Sequence, residues 1–530
     1  MDEMDDKHFA AQIQELQEKL ARSDHLDVEA YGNEIKIEFY TPGEEDLPAE
    51  ITFDAAQNQQ VFDQTIIAIG EILAQGHTQL QHFRLDYLDC ENNGYPQFWR
   101  GLAANQALKK VQLFHVTFPN EPVGTGFLAN TALESLAMIG CTLSHRTFDL
   151  LCQGIQSSHI SELIFNVRNL SPEMPLSSLW SALEHGATRL ESVNFWFSNN
   201  VPRDIETGFE SFLTNNTSIQ SMSLYSFRRG RDGLPFFVAL GRGLAVNTTV
   251  NILNLDFSRR TSGRATIGEQ LIQTVFAEGL DHNMAIKSLK VNMKFSPEGV
   301  KFLAEGLERM MRNRSSAATR DGRDEEESLP FLKELELQCA DNSGQSRLAV
   351  DAARDLFFDR LSQSDVIRVE TVKVDLPHWR QKLSPKVNDF IRSTQVTKIL
   401  VLNARYRKPA DDAFADLADA IEANKSISEV TVEDEQFHKM TKLLSTPNKY
   451  RIRCQCRRNE IQVHTLRKDK NLSLLPLVLA RLLPMNESST DEYERRHIEA
   501  RQLVDRTIAF EMLKDIPALF AVHGKRKRED

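Results

Sequence analysis

The stretch "NTALESLAMIGCTL", residues 130–143, combines spacings that indicate a repeating architecture. Leu133, Leu136 and Met138 occupy positions one, four and six of a short strand pattern, and Cys141 follows at position nine. Side chains alternate along a strand, so positions four and six share one side of it. If the pattern recurs at a fixed period, the chain is a stack of similar units.

The pattern does recur in register along residues 80–435. Twelve copies begin at Leu80, Leu108, Leu133, Ile160, Leu190, Ile219, Val250, Ile286, Leu332, Val369, Val396 and Ile427. The eleven steps from residue 80 to residue 427 span 347 residues, or about 31 per step, which is within the range of solenoid repeats. In the copy that begins at Val396, the pattern places Ile399 and Val401 at positions four and six.

Between the predicted strands, apolar residues follow the i, i+3, i+4, i+7 spacing of a helix with one buried stripe. Phe148, Leu151, Cys152 and Ile155 form one such stripe. Because each return path is a helix, the spacing predicts that successive strands are parallel. In six copies an Asn stands three residues before position one. Because Asn tolerates positive φ, we predict that it adopts a left-handed conformation there and ends the helix. These residues are Asn105, Asn130, Asn216, Asn247, Asn283 and Asn424.

The L-x-x-L-x-L strand with a helix in each period resembles the leucine-rich repeat, and the period is similar to that of the ribonuclease-inhibitor-like subclass. The resemblance implies an α/β solenoid of horseshoe shape, with a parallel concave sheet, outer helices and about twelve repeats. The family also has Asn or Cys at position nine, which only Cys141 supplies here. The chain therefore departs from the family's buried Asn ladder but not from the horseshoe. More distantly, the C-terminal "NLSLLPLVLARLLP" and "KRKR" resemble uncharacterised algal leucine-rich-repeat families.

The residues that flank the repeats predict polar caps, which a solenoid needs because its terminal repeats stack on one side only. We expect an N-terminal cap in residues 31–79, with a strand at "EIKIEF" and a helix at "VFDQTIIAIGEIL". Before it, residues 1–30 predict an acidic amphipathic helix that docks on this cap or on another chain. Residues 436–530 predict a mostly helical C-terminal cap with a strand at "YRIRCQC" and a basic tail. A charged insertion near residues 309–330 predicts a disordered loop.

Composition limits the classes of function. The hydrophobic fraction of 41% is typical of a globular protein, and the net charge of -12 weighs against broad nucleic-acid binding. The acidic start "MDEMDDKH" is unlike a secretory signal, and no apolar run is long enough for a membrane span, so we expect an intracellular, cytoplasmic protein with no membrane partner. Lys525, Arg526, Lys527 and Arg528 match a nuclear import signal, although such a run also serves simply to solvate a terminus.

Strand alternation predicts the ligand-facing surface. If positions four and six point inward, then positions three, five and seven face the concave side. Position seven is apolar or aromatic in several of the early repeats and mostly polar in the later ones. We therefore predict a partner-binding surface made of Phe114, Ile139, Trp196, Tyr225 and Phe227. The alternatives are that loops cover these residues or that the register is shifted by one and they are core.

Two equivalent loops, "SFRRGRDG" and "FSRRTSGR", bring arginines together on an acidic protein. Guanidinium groups recognise carboxylates and phosphates through two-point hydrogen bonds. The loops therefore predict an anion or phosphate site, and hence an acidic or phosphorylated partner. The alternative is that both loops are simply solvated. The arginines are Arg228, Arg229, Arg231, Arg259, Arg260 and Arg264.

Motifs for catalysis are missing from the sequence. It contains no G-x-x-x-x-G-K-[ST], H-E-x-x-H or G-x-S-x-G, and "GTGFLA" at residues 124–129 does not follow a predicted buried strand. Cys454, Cys456 and His464 lack the second ligand pair of a structural zinc site. We expect no catalytic residue, no cofactor and no metal, and the six cysteines to be free thiols.

These patterns favour a non-enzymatic scaffold that binds a protein on its concave face, while the oligomeric state stays open. One alternative is a ubiquitin-ligase substrate adaptor, because "SLLPLVLARLL" resembles an F-box helix. A second is a small-GTPase regulator, because the Ran-activating proteins resemble this repeat subclass, although their tails are acidic and this one is basic.

Overall fold

Strands and helices alternate along the chain because its apolar spacing switches between a period of two and a period of 3.6 residues. A computed structural model describes residues 3–31, 34–40, 49–54, 59–75, 80–90, 94–119, 122–166, 176–185, 189–196, 206–225, 234–256, 266–293, 296–320, 332–339, 347–364, 366–376, 383–403, 411–433, 452 and 455–456. They fall into two units, residues 1–292 and 293–530, which are described separately below as unit 1 and unit 2.

Unit 1 contains the first eleven strands. They are β1 (His25–Tyr31), β2 (Glu34–Tyr40), β3 (Ala49–Asp54), β4 (His82–Asp86), β5 (Lys110–Phe114), β6 (Ser135–Ile139), β7 (Glu162–Asn166), β8 (Ser192–Trp196), β9 (Ser221–Tyr225), β10 (Ile252–Asp256) and β11 (Ser288–Met293). The helices are α1 (Glu3–Leu20), α2 (Gln59–Ala74), α3 (Pro96–Ala104), α4 (His145–Ser157), α5 (Ser177–His185), α6 (Phe209–Asn215), α7 (Leu234–Val246) and α8 (Thr266–Glu278), with 3-10 turns over Pro122–Ala129 and Leu280–His282.

The strands β4 to β11 pair in chain order, each parallel to the next, as the helical crossovers predict. The pairs match position four with position four and position six with position six, for example Leu136 with Leu163 and Met138 with Phe165. Leucine-pattern strands that stack in this register with a helical or 3-10 crossover form an α/β leucine-rich-repeat solenoid.

The N-terminal part of unit 1 differs from the sequence prediction. The first helix ends at Leu20, and residues 25–31 form β1, which is parallel to β4 and antiparallel to β2. The strand β3 then pairs antiparallel with β2. The prediction of one helix for residues 1–30 was therefore wrong at its C-terminal end, because β1 alternates Leu26, Val28 and Ala30, which are buried against the core. Of the predicted apolar side of α1, Leu16 and Leu20 are fully buried.

Positions one, four and six of each strand form the closed side of the sheet, where they pack against the helices. The predicted helical stripes also lie there, and Phe148, Leu151 and Ile155 of α4 are fully buried. Trp180 of α5 is fully buried as well, with ring centroids 5.2 Å from Phe195 and 4.8 Å from Phe209. Burial of such a side chain contributes about 1.5–3 kcal/mol, so the closed side holds most of the stabilising contacts.

The repeated Asn residues form a ladder in unit 1, which we call the Asn ladder. The amide Nδ2 of Asn247 donates to the carbonyl oxygen of Asn216 at 3.3 Å, and that of Asn283 donates to the carbonyl of Asn247 at 3.1 Å. Each Oδ1 accepts backbone N–H groups two or three residues later, as Asn247 does from Thr249 and Val250. Asn130, Asn216, Asn247 and Asn283 thus each tie a helix end to the preceding repeat and open the next strand, whereas Asn105, the first of the series, only accepts, from Ala107.

The backbone of these Asn residues corrects the sequence prediction. Asn105, Asn216 and Asn283 have φ of -77°, -70° and -69°, an extended conformation rather than the predicted left-handed one. The helix ends here because the side chain replaces the next backbone hydrogen bonds, which needs no positive φ. The family's position nine is not the source of this ladder; Cys141 at that position donates its thiol to the carbonyl of Leu113 at 3.3 Å.

Unit 2 continues the alternation. Its elements are α9 (Pro297–Arg320), β12 (Leu332–Cys339), α10 (Arg347–Gln363), β13 (Val369–Asp375), α11 (Pro385–Ser393), β14 (Ile399–Asn403), α12 (Asp411–Ala423) and β15 (Glu429–Glu433). The strands β12 to β15 pair in order and in parallel.

Three predictions in unit 2 were wrong. In β14 the core residues are Leu400 and Leu402, which pair with Val430 and Val432, so the predicted register of Ile399 and Val401 is shifted by one. The described residues of "YRIRCQC", which are 452, 455 and 456, are helical rather than a strand. The insertion predicted as a loop near residues 309–330 is helical as far as Arg320, and residues 321–330 lie outside the described residues. This helix buries Arg314 to 6% exposure beside Met310 and Met311.

Candidate binding surface

Positions three, five and seven of the strands form the other side of the sheet in unit 1, which we call the open face. Its side chains are mostly half-buried or exposed, whereas their neighbours at positions four and six are buried. Two small side chains, Ala137 and Ser223, are exceptions and are buried. The predicted orientation of the strands therefore matches the structure.

The middle of the open face carries few charges. In β5 to β9 the charged side chains at positions three, five and seven are Lys110 and Glu162, and both stand at position three. The remaining positions carry amide, hydroxyl, aliphatic and aromatic groups. A surface with an uncharged aromatic centre and charges toward its rim is typical of protein interfaces.

Trp196 and Tyr225 form an aromatic pair in this region. They are direct partners in the parallel pairing of β8 and β9, and their ring centroids are 4.8 Å apart with a 33° angle between the planes. Both are half-buried. Asn254 on β10 donates its Nδ2 to the Tyr225 hydroxyl at 3.1 Å, which fixes the phenol ring. The pair is thus held in place while part of each ring faces outward.

Phe114 and Ile139 also lie at position seven, on the neighbouring strands β5 and β6. The guanidinium of Arg84 lies over the Phe114 ring at 4.6 Å from its centroid. Arg84 also donates two hydrogen bonds to the carboxylate of Asp86, at 3.2 Å and 2.8 Å. This corner of the open face therefore already contains an arginine held between a ring and a carboxylate.

Several predicted site residues lie outside the described residues. These are Phe227, the six loop arginines Arg228, Arg229, Arg231, Arg259, Arg260 and Arg264, and the tail residues Lys525, Arg526, Lys527 and Arg528. Cys454, His464 and the segment "SLLPLVLARLL" also lie outside them. Among the residues that the structure does describe, no group of three His, Cys, Asp or Glu is placed to hold a metal ion.

Sequence reasoning missed a second aromatic pair. Tyr87 and His115 stand at position eight of two successive repeats, both have left-handed backbone with φ of 67° and 55°, and Gly140 follows at the same position with φ of 69°. The rings of Tyr87 and His115 are parallel within 6° at 5.1 Å, and Tyr87 is 41% exposed. The signal in the sequence is the series Tyr, His, Gly at one repeat position.

Four cysteines are buried free thiols: Cys90, Cys141, Cys152 and Cys456. Burial raises the pKa of each of these thiols to about 12. They are protonated at neutral pH, and a protonated thiol is a poor nucleophile and a poor metal ligand. These four side chains belong to the packing.

Unit 2 contains a polar cavity of about 570 Å³. It lies where Ser364 accepts the N–H of Ile367 and Thr394 accepts that of Thr397, as Asn247 accepts the N–H of Val250 in unit 1. Both residues line the cavity, together with Leu361, Ser362, Ile367, Arg368, Val369, Val372, Phe390, Ser393, Gln395, Val396 and Thr397.

Comparisons with known proteins add a distant likeness among solved structures. Neither the protein-family models nor the curated proteins include a match to this chain. Among solved structures, the leucine-rich repeat-containing protein LegL7 from Legionella pneumophila is similar over 62% of this chain and 91% of its own, with 11% identity and a TM-score of 0.35. The fold assignment rests on the strands described above and not on this likeness. None of the described helices is both long and apolar enough to span a membrane.

Proposed function

We propose that this protein is a non-enzymatic interaction scaffold that binds another protein on the open face of unit 1, with Trp196 and Tyr225 as the anchor. The observation that supports it most is the aromatic pair itself, which is 4.8 Å between centroids on a nearly uncharged stretch of sheet. Tryptophan and tyrosine are the residues most often found to dominate binding energy at such surfaces.

The geometry suits binding for a second reason. A partner that desolvates Trp196 and Tyr225 meets rings already held by cross-strand pairing and, for Tyr225, by the bond from Asn254. Little side-chain entropy is then lost on association, and that loss is one of the main costs of forming an interface. Phe114 and Ile139 extend the apolar strip along position seven.

We propose that the repeats belong to the ribonuclease-inhibitor-like subclass, since most described periods contain an α-helix. Residues 31–79 and 436–530 are proposed as caps of the repeats. An acidic or phosphorylated partner at the six loop arginines, intracellular residence and nuclear import through residues 525–528 stay predictions.

The test is a quantitative pulldown from cell extract with four forms of the protein. The double variant Trp196→Ala/Tyr225→Ala is compared with wild type, and Val246→Ser/Met284→Ser serves as the control because these side chains are 57% and 51% exposed and lie outside the strands. The fourth form, Trp196→Phe, keeps an aromatic ring. We expect a partner that wild type and the control recover equally and that binds the alanine variant about 30-fold or more weakly, since an anchor of this kind contributes about 2 kcal/mol or more. Equal recovery of every partner by all four forms contradicts the proposal.

A further inference from the structure

The polar cavity of unit 2 lies between the ends of two helices and the starts of two strands. One wall is formed by the last turn of α10 and the residues that lead into β13, and the other by the last turn of α11 and the residues that lead into β14. Val372 and Phe390 in its lining are buried. Ser393 and Gln395 in its lining are exposed, so a ligand can enter from solvent. A volume of about 570 Å³ is within the range of sites that bind small molecules.

Arg368 brings a positive charge to the lining of this cavity. It is half-buried, and within the part of the chain that the structure describes no hydrogen bond or ion pair engages its guanidinium. By contrast, Lys398, which follows the lining residue Thr397, is bonded to Glu370 at 2.6 Å. A guanidinium binds carboxylate and phosphate oxygens through two hydrogen bonds, so an unpaired one in a cavity favours an anionic ligand.

The serine hydroxyls at the helix ends favour a ligand with hydroxyl groups. Ser362 in the last turn of α10 donates to the carbonyl of Phe358 at 2.5 Å, and Ser393 at the end of α11 donates to that of Phe390 at 3.3 Å. A hydroxyl that donates its proton keeps lone pairs that accept hydrogen bonds. These two side chains can therefore accept from the O–H groups of a ligand, and the exposed amide of Gln395 can accept or donate.

The charges around the cavity give the ligand an orientation. The carboxyl-terminal ends of α10 and α11 carry partial negative charge, which disfavours an anion and suits O–H donors. Arg368 lies past the end of α10, immediately before β13. The cavity thus has an anion-binding side at Arg368 and a side of hydrogen-bond acceptors at the helix ends.

We propose that this cavity binds a small polyhydroxylated molecule that carries a phosphate or carboxylate group, with the anion on Arg368 and the O–H groups donated to Ser362 and Ser393. Both anions offer the same kind of oxygen acceptor to a guanidinium, and binding measurements separate them. The cavity lies within unit 2, so the proposal does not depend on the anchor at Trp196 and Tyr225 in unit 1.

The experiment is isothermal titration calorimetry of the full-length chain, in a buffer without phosphate, with ribose 5-phosphate, glucuronate, ribose and inorganic phosphate as probes. Arg368→Met removes the charge, Arg368→Lys keeps the charge without the two-point geometry, and Gln395→Trp fills part of the cavity. The control is Arg392→Met, which removes an exposed arginine of α11 that is not in the lining. Thermal unfolding midpoints are compared for all forms, so that a loss of binding is not confused with a loss of fold.

We expect ribose 5-phosphate or glucuronate to bind wild type at least about tenfold more tightly than ribose or inorganic phosphate does, and the tighter of the two identifies the anion. Arg368→Met should weaken that probe about tenfold or more, because charge-assisted hydrogen bonds are lost, and Arg368→Lys should weaken it less. Gln395→Trp should also weaken it, whereas Arg392→Met should retain it.

Three results would overturn the proposal. The first is that neither ribose 5-phosphate nor glucuronate binds wild type. The second is that Arg368→Met binds as tightly as wild type, or that Arg392→Met loses as much affinity as Arg368→Met. The third is that inorganic phosphate binds as tightly as ribose 5-phosphate, which would mean that the cavity takes up an anion without recognising hydroxyl groups.

Discussion

The closed side and the open face of unit 1 are made by the same strands, yet they follow different rules. On the closed side, every copy repeats apolar residues at the same positions, and the Asn ladder links copies through buried hydrogen bonds. On the open face, position seven changes from Phe114 to Ile139, Asn166, Trp196, Tyr225 and Asp256 without any change of backbone register. Stability is therefore carried by one side, which leaves the other free to acquire a binding surface.

Trp180 lies on the closed side and Trp196 on the open face, so their substitutions should have very different effects on stability. Trp180→Ala should lower the free energy of unfolding by about 3–5 kcal/mol, since the indole is fully buried among Phe195, Phe209 and Phe212. Trp196→Ala should cost only about 1 kcal/mol, the worth of a cross-strand pair. Urea unfolding followed by circular dichroism measures both. Similar losses for the two variants would mean that the open face is also structural.

Two adjacent asparagines test the Asn ladder. Asn216 is 6% exposed, donates to the carbonyl of Leu183 and accepts the N–H groups of Ser218 and Ile219. Asn216→Ala should lower the free energy of unfolding by about 2–3 kcal/mol, because buried backbone groups lose their partners. Asn215 is exposed, and Asn215→Ala should change it by less than about 0.5 kcal/mol. Urea unfolding measures both values. If Asn216→Ala lowers the free energy of unfolding no more than Asn215→Ala does, the Asn ladder does not stabilise the fold.

Thiol labelling compares access to the two sides. In a Cys339→Ser/Cys454→Ser background, Cys90, Cys141, Cys152 and Cys456 should react with a thiol reagent at least about tenfold more slowly than a cysteine placed on the open face by Ser192→Cys. All should react at one rate in urea. Fast reaction of Cys90, Cys141 and Cys152 in the folded protein would show that the closed side of unit 1 is not sealed.

The same thiols give the sign of a small pH effect. Their folded pKa of about 12 lies above the ordinary value of 9.0, so the neutral form is favoured by folding. Their contribution to stability is complete below pH 9.0 and is lost as the pH rises from there toward 12. Cys141→Ala should flatten the alkaline slope of the unfolding midpoint relative to wild type.

The sequence predicts the closed side well because the repeat period determines which residues are buried. A leucine at position four of a strand points to the same side of the sheet in every copy. The prediction fails where the period does not decide burial. Residues 399–402 are all apolar, so alternation alone does not decide whether Ile399 or Leu400 faces the core. The buried residue at the start of this copy is Thr397, a polar residue that the apolar pattern does not select. The apolar pattern does not predict the helix beyond Met311, because the residues there are mostly polar and the residue that the helix buries, Arg314, is charged.

The open face could be predicted only in part. Alternation places Trp196 and Tyr225 on it, but the bond from Asn254 and the Arg84 contact with Phe114 depend on which strands are neighbours. The stacked pair of Tyr87 and His115 has no signal within a single repeat, because left-handed backbone is uncommon for tyrosine and histidine; only the series Tyr, His, Gly at one position of successive repeats marks it. An Asn at a helix end can adopt positive φ, or its side chain can replace the next backbone hydrogen bonds. The sequence predicts the first, whereas the structure shows the second.

Every rung of the Asn ladder reaches in one direction. Asn130, Asn216, Asn247 and Asn283 each donate to a carbonyl of the preceding repeat, which lies earlier in the chain. A repeat that emerges from the ribosome therefore finds its acceptor already made, whereas a rung never waits for residues still to be synthesised. The polarity suits growth from the amino terminus, and it means that truncating unit 1 from its start would orphan donors that truncation from its end leaves satisfied.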